Sequence, residues 1–300
     1  MKNFITIGTM DGVHIGHAAI IAELACQARN SGMKSLVLFL DFPPKAVLSG
    51  HMAQSMLTLP CERRELILRA GADNAVELNF SADLAAVTHT EFFNTLLAKY
   101  KMGGLIIGRD FAFGRERRGH LDFLRAACAQ HKIPLEIMDF CRAGGHKVSS
   151  SVIRRMIADG QVESAARLLG RNYSVSGIVV RGMGLGRKLG FPTANVDTGP
   201  LKILPRGVYA VRANVEGDSR VYSAMANVGF RPTVNTTDGA VPLTEVHLLD
   251  FSKDIYGRAL TVEFIARLRH EKKFRDVGEL VAAIRTDVKS ARAALAESNI

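Results

Sequence analysis

Two histidines and three glycines stand close together in the sequence GTMDGVHIGH, Gly8 to His17. This stretch follows the apolar run Phe4 to Ile7 and precedes the helical pattern AAIIAELACQA. A strand, a glycine-rich loop and a helix in this order expose backbone amides at a helix N-terminus, and such amides bind phosphate. Glycine lets the backbone approach an anion closely. His14 and His17 are three residues apart, so both imidazoles can face the same phosphoryl oxygens.

The stretch by itself leaves two other interpretations open. The histidine pair could cap the helix for packing, or it could be two ligands of a metal site that lacks its third ligand. A second segment, KVSSSVIR at Lys147 to Arg154, supplies a partner for the phosphate interpretation. Serines at the start of a helix and a following arginine bind pyrophosphate well, although these serines alone favour a simple helix cap.

A second glycine-rich segment, RGMGLGRKLGFPTAN at Arg181 to Asn195, has the composition of a loop that wraps a polyphosphate. Its glycine spacing fits neither a Walker A loop nor a dinucleotide-binding fingerprint. From the glycines alone, a hairpin with a basic edge is the slightly better interpretation.

Glu245 lies on the predicted strand Leu243 to Leu249, and its side chain alternates with those of Val246 and Leu248. If Val246 and Leu248 enter the core, the carboxylate points toward a cleft. A lone glutamate on a strand is usually only solvated, so this residue needs further support before a role is given to it.

The whole chain has 300 residues, 47% of them hydrophobic, and a formal net charge of +10. This composition is typical of a globular protein, and the length favours two domains. No stretch approaches the roughly 20 apolar residues of a membrane span, and the first residues lack a secretory signal pattern. Four scattered cysteines without a C-x-x-C pair indicate buried free thiols. We therefore expect a cytoplasmic protein that does not bind membranes.

The positive charge suits a phosphate-rich partner, which could be a nucleotide or a nucleic acid. A basic nucleic-acid binding module is one alternative. Aromatic residues are only 7% of the chain, tryptophan is absent, and no aromatic cluster interleaves the basic residues as a stacking platform requires. We therefore expect small-molecule partners and no nucleic acid.

The elements that must position these residues change character along the chain. The first half alternates short apolar runs with helical patterns, which predicts a parallel sheet covered by helices, a Rossmann-like α/β domain. The second half has period-two segments separated by turns, which predicts a small antiparallel β-barrel. A C-terminal helix follows, with Asp276 as its N-cap. We place the domain boundary between residues 166 and 167, giving domains 1–166 and 167–300.

Six motifs in order make the chain resemble the bacterial bifunctional riboflavin kinases/FMN adenylyltransferases, and the resemblance covers nearly all of it. They are GTMDGVHIGH, IIGRDFAFGRERRG, VSSSVIR, GRKLGFPTAN, NVGFRPT, and EVHLLDF with DIYG and EKKF beyond it. The resemblance implies a nucleotidylyltransferase-like first domain and a riboflavin kinase barrel. It also implies ATP as substrate, Mg²⁺ as cofactor, riboflavin and FMN as further substrates, and FMN and FAD as products.

The resemblance assigns residues to both sites. For adenylyl transfer it implies catalytic roles for His14 and His17, a flavin contact at Phe113, and ATP binding by Gly8, Asp11, Gly16, Asp110, Ser149, Ser150, Ser151 and Arg154. For the kinase it implies Glu245 as general base, Thr193 and Asn195 as Mg²⁺ ligands, and ATP binding by Gly182, Gly184, Lys188, Gly190, Pro192, Thr193 and Asn195. Arg269 and Phe274 could close over the flavin, or they could form only a structural hinge.

The chain departs from the family pattern at Pro43, which stands where the motif Phe-x-Pro-His-Pro usually has its histidine. Proline offers neither an imidazole nor a backbone N–H. One alternative is therefore a riboflavin kinase with a degenerate adenylyltransferase domain. Another is a different HIGH-type nucleotidyl transferase or a tRNA-related amino-acid-activating enzyme, although no further helical domain remains to grip an anticodon. We expect a monomer or a weak homo-oligomer.

Overall fold

The computed structural model describes residues 1–144, 146–230 and 242–298. Contacts divide the chain into two units, Met1–Val152 and Ile153–Ile300. This division falls before the predicted boundary at residues 166 and 167. The reason is that the helix Val162–Leu169, which we assigned mostly to the first domain, buries its apolar side chains against strands of the second unit.

The first unit is an α/β domain, as its alternating pattern predicts. Its strands form a five-stranded parallel sheet in the order β3-β2-β1-β4-β5. The elements are β1 (Asn3–Gly8), α1 (Ile15–Asn30), β2 (Lys34–Leu40), α2 (Pro44–Ser49), α3 (Pro60–Arg69), β3 (Asn74–Leu78), α4 (Ala82–Ala86), α5 (His89–Ala98), β4 (Met102–Gly108), α6 (Leu121–Gln130), β5 (Leu135–Met138), β6 (Arg142–Ala143) and β7 (His146–Lys147). The next helix, α7 (Ser150–Ala158), begins in the first unit and continues past its last residue, Val152. The helices pack on both faces of the sheet, since each face has its own buried apolar cluster.

The second unit is a closed antiparallel barrel with strand order β10-β11-β12-β9-β8-β13. The fold class is thus confirmed in both halves. The elements are α8 (Val162–Leu169), β8 (Tyr173–Val180), α9 (Leu185–Lys188), β9 (Ala194–Asp197), β10 (Gly207–Val215), β11 (Val221–Phe230), β12 (Pro242–Leu248), β13 (Ala259–Arg269) and α10 (Val277–Glu297). Period-two patterning predicts five of these strands. It misses β9 because four residues directly after a Pro-Thr pair are too short to show an alternation.

Helix α10 begins where the sequence predicts. Asp276 is its N-cap and accepts a hydrogen bond from the backbone N of Glu279 at 2.8 Å. Apolar side chains of the helix, among them Ile284 and Val288, pack on a cluster of β10 and β11 residues that includes Val208 and Met225. The helix therefore covers one side of the barrel next to the cavity described below.

All four cysteines are free thiols, but the expectation that they are buried holds only for Cys128. Cys26 and Cys141 are half-buried, and Cys61 is exposed near the start of α3. Cys128 is buried, and desolvation raises the pKa of its thiol to about 11. Among the residues that the structure describes, no helix has the length and apolar character needed to cross a membrane.

Candidate active sites

The histidine-containing loop lies at the carboxyl edge of the parallel sheet, where the strand order reverses. From β1 the chain goes to β2 and β3 on one side and to β4 and β5 on the other. Ligands of open parallel sheets bind in the crevice at such a reversal. The loop after β1 ends at His14, the first turn of α1 carries His17, and the segment after β4 carries Asp110. Topology thus brings two motifs that are distant in the sequence to one edge.

His14 and His17 form a pair at the start of α1. His14 is the N-cap, and its Nδ1 accepts a hydrogen bond from the backbone N of His17 at 3.3 Å. The two imidazoles stack with their centroids 3.7 Å apart. Nδ1 of His17 is inaccessible and has no hydrogen-bond partner among the residues described. His14 therefore caps the helix, and Nδ1 of His17 is a buried polar atom without a partner among the described residues.

Burial, together with the neighbouring His14 and Arg63, lowers the pKa of His17 well below its usual 6.5. The unfolded chain consequently binds a proton more readily than the folded one just below pH 6.5, so this group stabilises the fold above that pH and destabilises it as the pH falls. We expect the imidazole of His17 to titrate below pH 6.5 in a histidine-labelled NMR sample. The His17→Gln spectrum assigns the resonance, and urea-unfolded protein provides the reference. A midpoint at or above the unfolded value would contradict this electrostatic description.

Asp11 faces into the protein. Its carboxylate is fully buried and accepts hydrogen bonds from the backbone N of Leu57 and Thr58, each at 3.0 Å. It also pairs with the guanidinium of Arg63 at 3.2 Å, and both side chains are inaccessible to solvent. The backbone N of Gly12 donates to Oγ1 of Thr58 at 2.9 Å. The side chain of Asp11 therefore holds the loop in place, whereas the predicted role was ATP binding.

Arg63 is the central member of this network. Besides Asp11 it donates to the carbonyl oxygens of Leu40, Asp41 and Thr58. Burial lowers the pKa of Arg63 and Asp11 opposes the shift, so the guanidinium remains charged in the core. We did not predict a role for Arg63 because one arginine in a helix rich in charged residues carries no sign of burial.

The network supports a loop with an unusual backbone. Met10 and Val13 have φ angles of 52° and 38°, in the left-handed region that side-chain-bearing residues seldom adopt, and Gly12 lies between them at 81°. Such conformations persist only where the surroundings enforce them. The buried carboxylate and arginine therefore position the amides that precede α1.

The serine segment is tied to the same loop. Oγ of Ser150 donates to the backbone oxygen of Asp11 at 2.8 Å, and Oγ of Ser149 accepts from the backbone N of Val152 at 3.4 Å as a helix cap. A Cβ at Gly16 would lie 3.2 Å from Cys141 and from the ring of His14, so the glycine permits this close approach. Ser151 is exposed, and Arg154 is half-buried farther along α7.

Asp110 is exposed and forms an ion pair with Lys147, with 2.7 Å between Oδ2 and Nζ. The same ammonium lies 3.6 Å from the ring centroid of Phe140. Phe113 was predicted to contact the flavin, but its side chain is only 9% exposed and packs against other rings of the core. These are Phe92, Phe111 and Phe123, with centroids 5.3, 5.7 and 6.1 Å away. The half-buried Phe111 leaves more ring surface for a ligand.

A cavity of about 360 Å³ lies in the barrel unit, within the range of small-molecule sites. Its wall is formed by the flap between β8 and β9 (residues 181–193), by residues of the five strands β9 to β13, by the segment after β13 and by helix α10. Predicted site residues that line it are Gly184, Thr193, Asn195, Glu245, Arg269 and Phe274. Gly182, Lys188, Gly190 and Pro192 belong to the same flap and lie outside the lining.

Three polar side chains form a row across adjacent strands of the barrel. Glu245 on β12 pairs in register with Asn195 on β9 and with Asn227 on β11. Residues directly opposite on neighbouring strands present their side chains to the same face, and all three line the cavity. Val246 and Leu248 are buried on the other face, as the alternation predicts.

Asn227 has no role in the sequence-based assignment, although it begins the motif NVGFRPT. Its amide could have been suspected only from the barrel register. The last three residues of that motif, 231–233, lie outside the described residues.

Close approach of the flap depends on glycine. A Cβ at Gly182 would overlap the amide of Asn195, and one at Gly186 would overlap the carbonyl oxygen of Phe191 and lie 3.1 Å from Oγ1 of Thr193. These glycines therefore let the flap lie directly over the predicted magnesium ligands.

Arg269 and Phe274 lie together at the cavity wall. Nε of Arg269 donates to both carboxylate oxygens of Asp287 at 3.0 Å, and its second terminal nitrogen donates at 2.8 Å. The guanidinium lies 5.5 Å from the ring centroid of Phe274. Asp287 on α10 is buried and was not predicted, because a carboxylate on a helix is usually solvated.

No group of three or more histidine, cysteine, aspartate or glutamate side chains that could hold a metal occurs in the described part of the chain. Mg²⁺ needs no such cage, since it takes one or two protein oxygens together with water and substrate phosphates. The hydroxyl of Thr193, the amide oxygen of Asn195 and the carboxylate of Glu245 are oxygen donors around one cavity. This donor set fits Mg²⁺.

Comparison with known proteins matches each half of the chain to a separate family model. Residues 1–152 match the family model for FAD synthetase, and residues 169–295 match that for riboflavin kinase. A bifunctional riboflavin kinase/FMN adenylyltransferase of Pseudomonas fluorescens is 37% identical over 98% of this chain and 93% of its own length. The chain belongs to this family. The resemblance that the six motifs carry is therefore confirmed.

Other relatives extend the comparison. The bifunctional riboflavin kinase/FMN adenylyltransferase of Escherichia coli K12 is 35% identical over 96% of this chain and 91% of that protein. A crystal structure of a macrolide-efflux protein from Streptococcus pneumoniae is 29% identical, with a TM-score of 0.86 over 97% of this chain and 94% of that one. These similarities cover nearly the whole of this chain.

Proposed function

We propose that this chain is a bifunctional transferase that phosphorylates riboflavin to FMN and adenylylates FMN to FAD, with ATP as donor in both reactions. The observation that carries the proposal is that residues 1–152 and 169–295 each match one of the two family models. The predicted phosphate-handling residues form two sets, one for each activity. One set stands at the reversal point of a parallel sheet, and the other lines the barrel cavity.

In the barrel unit, Glu245 accepts the proton of the ribityl 5′-hydroxyl as that oxygen attacks the γ-phosphorus of ATP. A new P–O bond forms, the bond to the β-phosphate oxygen breaks, and ADP leaves with the electron pair. Thr193 and Asn195 would hold Mg²⁺, which when bound neutralises charge on the ATP phosphates. Arg269 and Phe274 hold the flavin, because a planar cation and a ring next to it favour an aromatic ligand.

In the first unit, a phosphate oxygen of FMN attacks the α-phosphorus of ATP, and pyrophosphate leaves with the electron pair. No protein nucleophile is needed, so the contribution of the protein is positioning and charge stabilisation. The phosphates are bound on one side by the backbone amides before α1 and by the side chains of His14 and His17. Ser149, Ser151 and Arg154 bind the leaving pyrophosphate, and Ser150 holds its segment to the loop.

Pro43 bears on whether the first unit is active. It occupies the N-cap position of α2 and makes no side-chain cap bond there. This position therefore supplies no hydrogen-bond donor to a phosphate. The product assay described next decides between an active adenylyltransferase and the kinase-only alternative.

Purified protein with riboflavin and Mg-ATP tests the proposal, with products separated by chromatography. We expect FMN to form first and FAD to follow. If no FMN forms, the kinase assignment fails. If FMN accumulates and no FAD appears even when FMN is supplied directly, the adenylyltransferase assignment fails and the kinase-only alternative stands.

The histidine pair predicts a separable defect. We expect the double variant His14→Asn, His17→Ala to lower kcat of FMN adenylylation about 10²- to 10³-fold, since it removes donors that stabilise transition-state charge. Riboflavin phosphorylation should be unchanged. Asparagine at position 14 retains an acceptor for the α1 cap.

The matched control is His51→Asn, which changes an exposed histidine of the same unit. Steady-state FAD formation from supplied FMN measures both variants. A double variant with FAD formation equal to that of the control would remove the histidines from the mechanism.

The substrates are small metabolites, and we place the enzyme in the cytoplasm, where ATP is supplied and cysteines remain reduced. We expect a monomer or a weak homo-oligomer. Sedimentation velocity over a range of protein concentrations measures this.

A further inference from the structure

The pairing between β12 and β9, which positions the oxygen donors of the kinase site, ends one residue pair beyond Glu245 and Asn195. The ladder between β12 and β9 runs from Thr244–Val196 through Glu245–Asn195 to its last pair, Val246–Ala194. Beyond this pair, β12 continues to His247. On the β9 side, the residues that precede Ala194, namely Thr193 and Pro192, belong to the glycine-rich flap. The magnesium donor Thr193 therefore lies just outside the backbone hydrogen bonds that hold Asn195.

The side chain of His247 bridges β12 and the flap at this point. Nδ1 of His247 lies 2.8 Å from the carbonyl oxygen of Pro192. A carbonyl oxygen can only accept, so Nδ1 carries the hydrogen and donates it. The ring also meets Phe191 edge to face, with the centroids 5.7 Å apart.

The flap side of this contact is itself anchored. The backbone N of Phe191 donates to the carbonyl oxygen of Gly186 at 2.8 Å, which closes the flap on itself. The bond from His247 thus links the folded flap to the strand that carries Glu245. His247 is half-buried and lines the cavity two residues from Glu245 on the same face.

We propose that His247 is a positioning residue for riboflavin phosphorylation: its Nδ1–H holds the carbonyl of Pro192 and thereby places Thr193 beside Asn195 and Glu245. This inference rests on the proposed kinase function of the barrel. In this proposal His247 acts through the backbone of the flap, and its ring makes no contact with the phosphates.

Substitution of His247 by residues with amide side chains distinguishes the role of Nδ1 from that of Nε2. The amide nitrogen of asparagine occupies nearly the position of Nδ1, whereas that of glutamine reaches the position of Nε2. We expect His247→Asn to keep kcat/KM for Mg-ATP within about threefold of the wild type, because one neutral hydrogen bond is preserved. We expect His247→Gln, His247→Ala and His247→Phe each to lower it at least about tenfold, because a displaced donor misplaces the reacting groups.

The measurement compares the effect of each variant on KM for Mg-ATP, on KM for riboflavin and on kcat. A misplaced Thr193 raises KM for Mg-ATP and lowers kcat, while KM for riboflavin stays the same. Adenylylation of supplied FMN and the thermal unfolding midpoint, measured on the same full-length preparations, report whether each variant is folded.

The outcomes are exclusive. Rescue by asparagine and not by glutamine supports the proposal. Rescue by glutamine alone means that Nε2 contacts the substrate, and equal activity of all variants or equal loss in all of them means that the Nδ1 bond is irrelevant; each of these overturns it. If the wild type itself forms no FMN, the proposed kinase function fails instead, so the two failures are distinguishable.

Discussion

Replacement of Glu245 by glutamine is expected to lower kcat for riboflavin phosphorylation about 10²- to 10⁴-fold, the usual contribution of a general base. Glutamine has nearly the same shape as glutamate, but it cannot accept the proton of the ribityl hydroxyl. FMN adenylylation takes place in the other unit and should be unaffected. Initial rates of FMN formation at saturating Mg-ATP, and of FAD formation from supplied FMN, measure the two activities.

The matched control is Glu216→Gln, the same change at an exposed glutamate just after β10 and outside the cavity lining. It should retain both activities. The assignment of Glu245 as base is refuted if E245Q phosphorylates riboflavin within about threefold of this control, because loss of proton acceptance costs far more.

The second large effect concerns the buried ion pair below the histidine loop. We expect Asp11→Ala to lower the free energy of unfolding of the first unit by about 3 to 5 kcal/mol, because Arg63 would remain charged and unpaired in the core. The backbone N–H groups of Leu57 and Thr58 would also lose their acceptor. Urea denaturation, followed by hydrogen exchange in peptides from residues 1–152, measures the stability of that unit.

A compensating variant separates the charge effect from a general loss of packing. Replacing both partners, Asp11→Asn with Arg63→Met, removes the unpaired charge and should recover a large part of the stability, since buried ion pairs are often replaceable by apolar groups. A double variant as unstable as Asp11→Ala would contradict this interpretation. Retained riboflavin phosphorylation shows that the barrel unit is intact in either variant.

The same variants connect stability to function. Met10 and Val13 keep their left-handed backbone only while the network enforces it. When the loop relaxes, the amides before α1 and the stacked pair of histidines lose their arrangement. FMN adenylylation is therefore expected to fall in the double variant even where stability recovers.

The sequence alone determined the features that depend on neighbours along the chain. The alternation of buried Val246 and Leu248 with Glu245, the N-cap at Asp276 and the strand-loop-helix around His14 follow from the periods of strands and helices and from local capping. The ordered motifs determined the family, because six matches in one order are far more specific than any single one. These signals need no knowledge of which segments pair.

Only the tertiary structure decided which side chains meet. Asp11 turns inward to Arg63, Phe113 enters the aromatic core, and Asn227 joins Glu245 and Asn195 in one row. Each of these outcomes depends on strand register or burial between segments far apart in the chain, and shifting a strand by one residue would reverse the face that each side chain presents. Local composition contains no information about that register, so charge and polarity could mark these residues but could not place them.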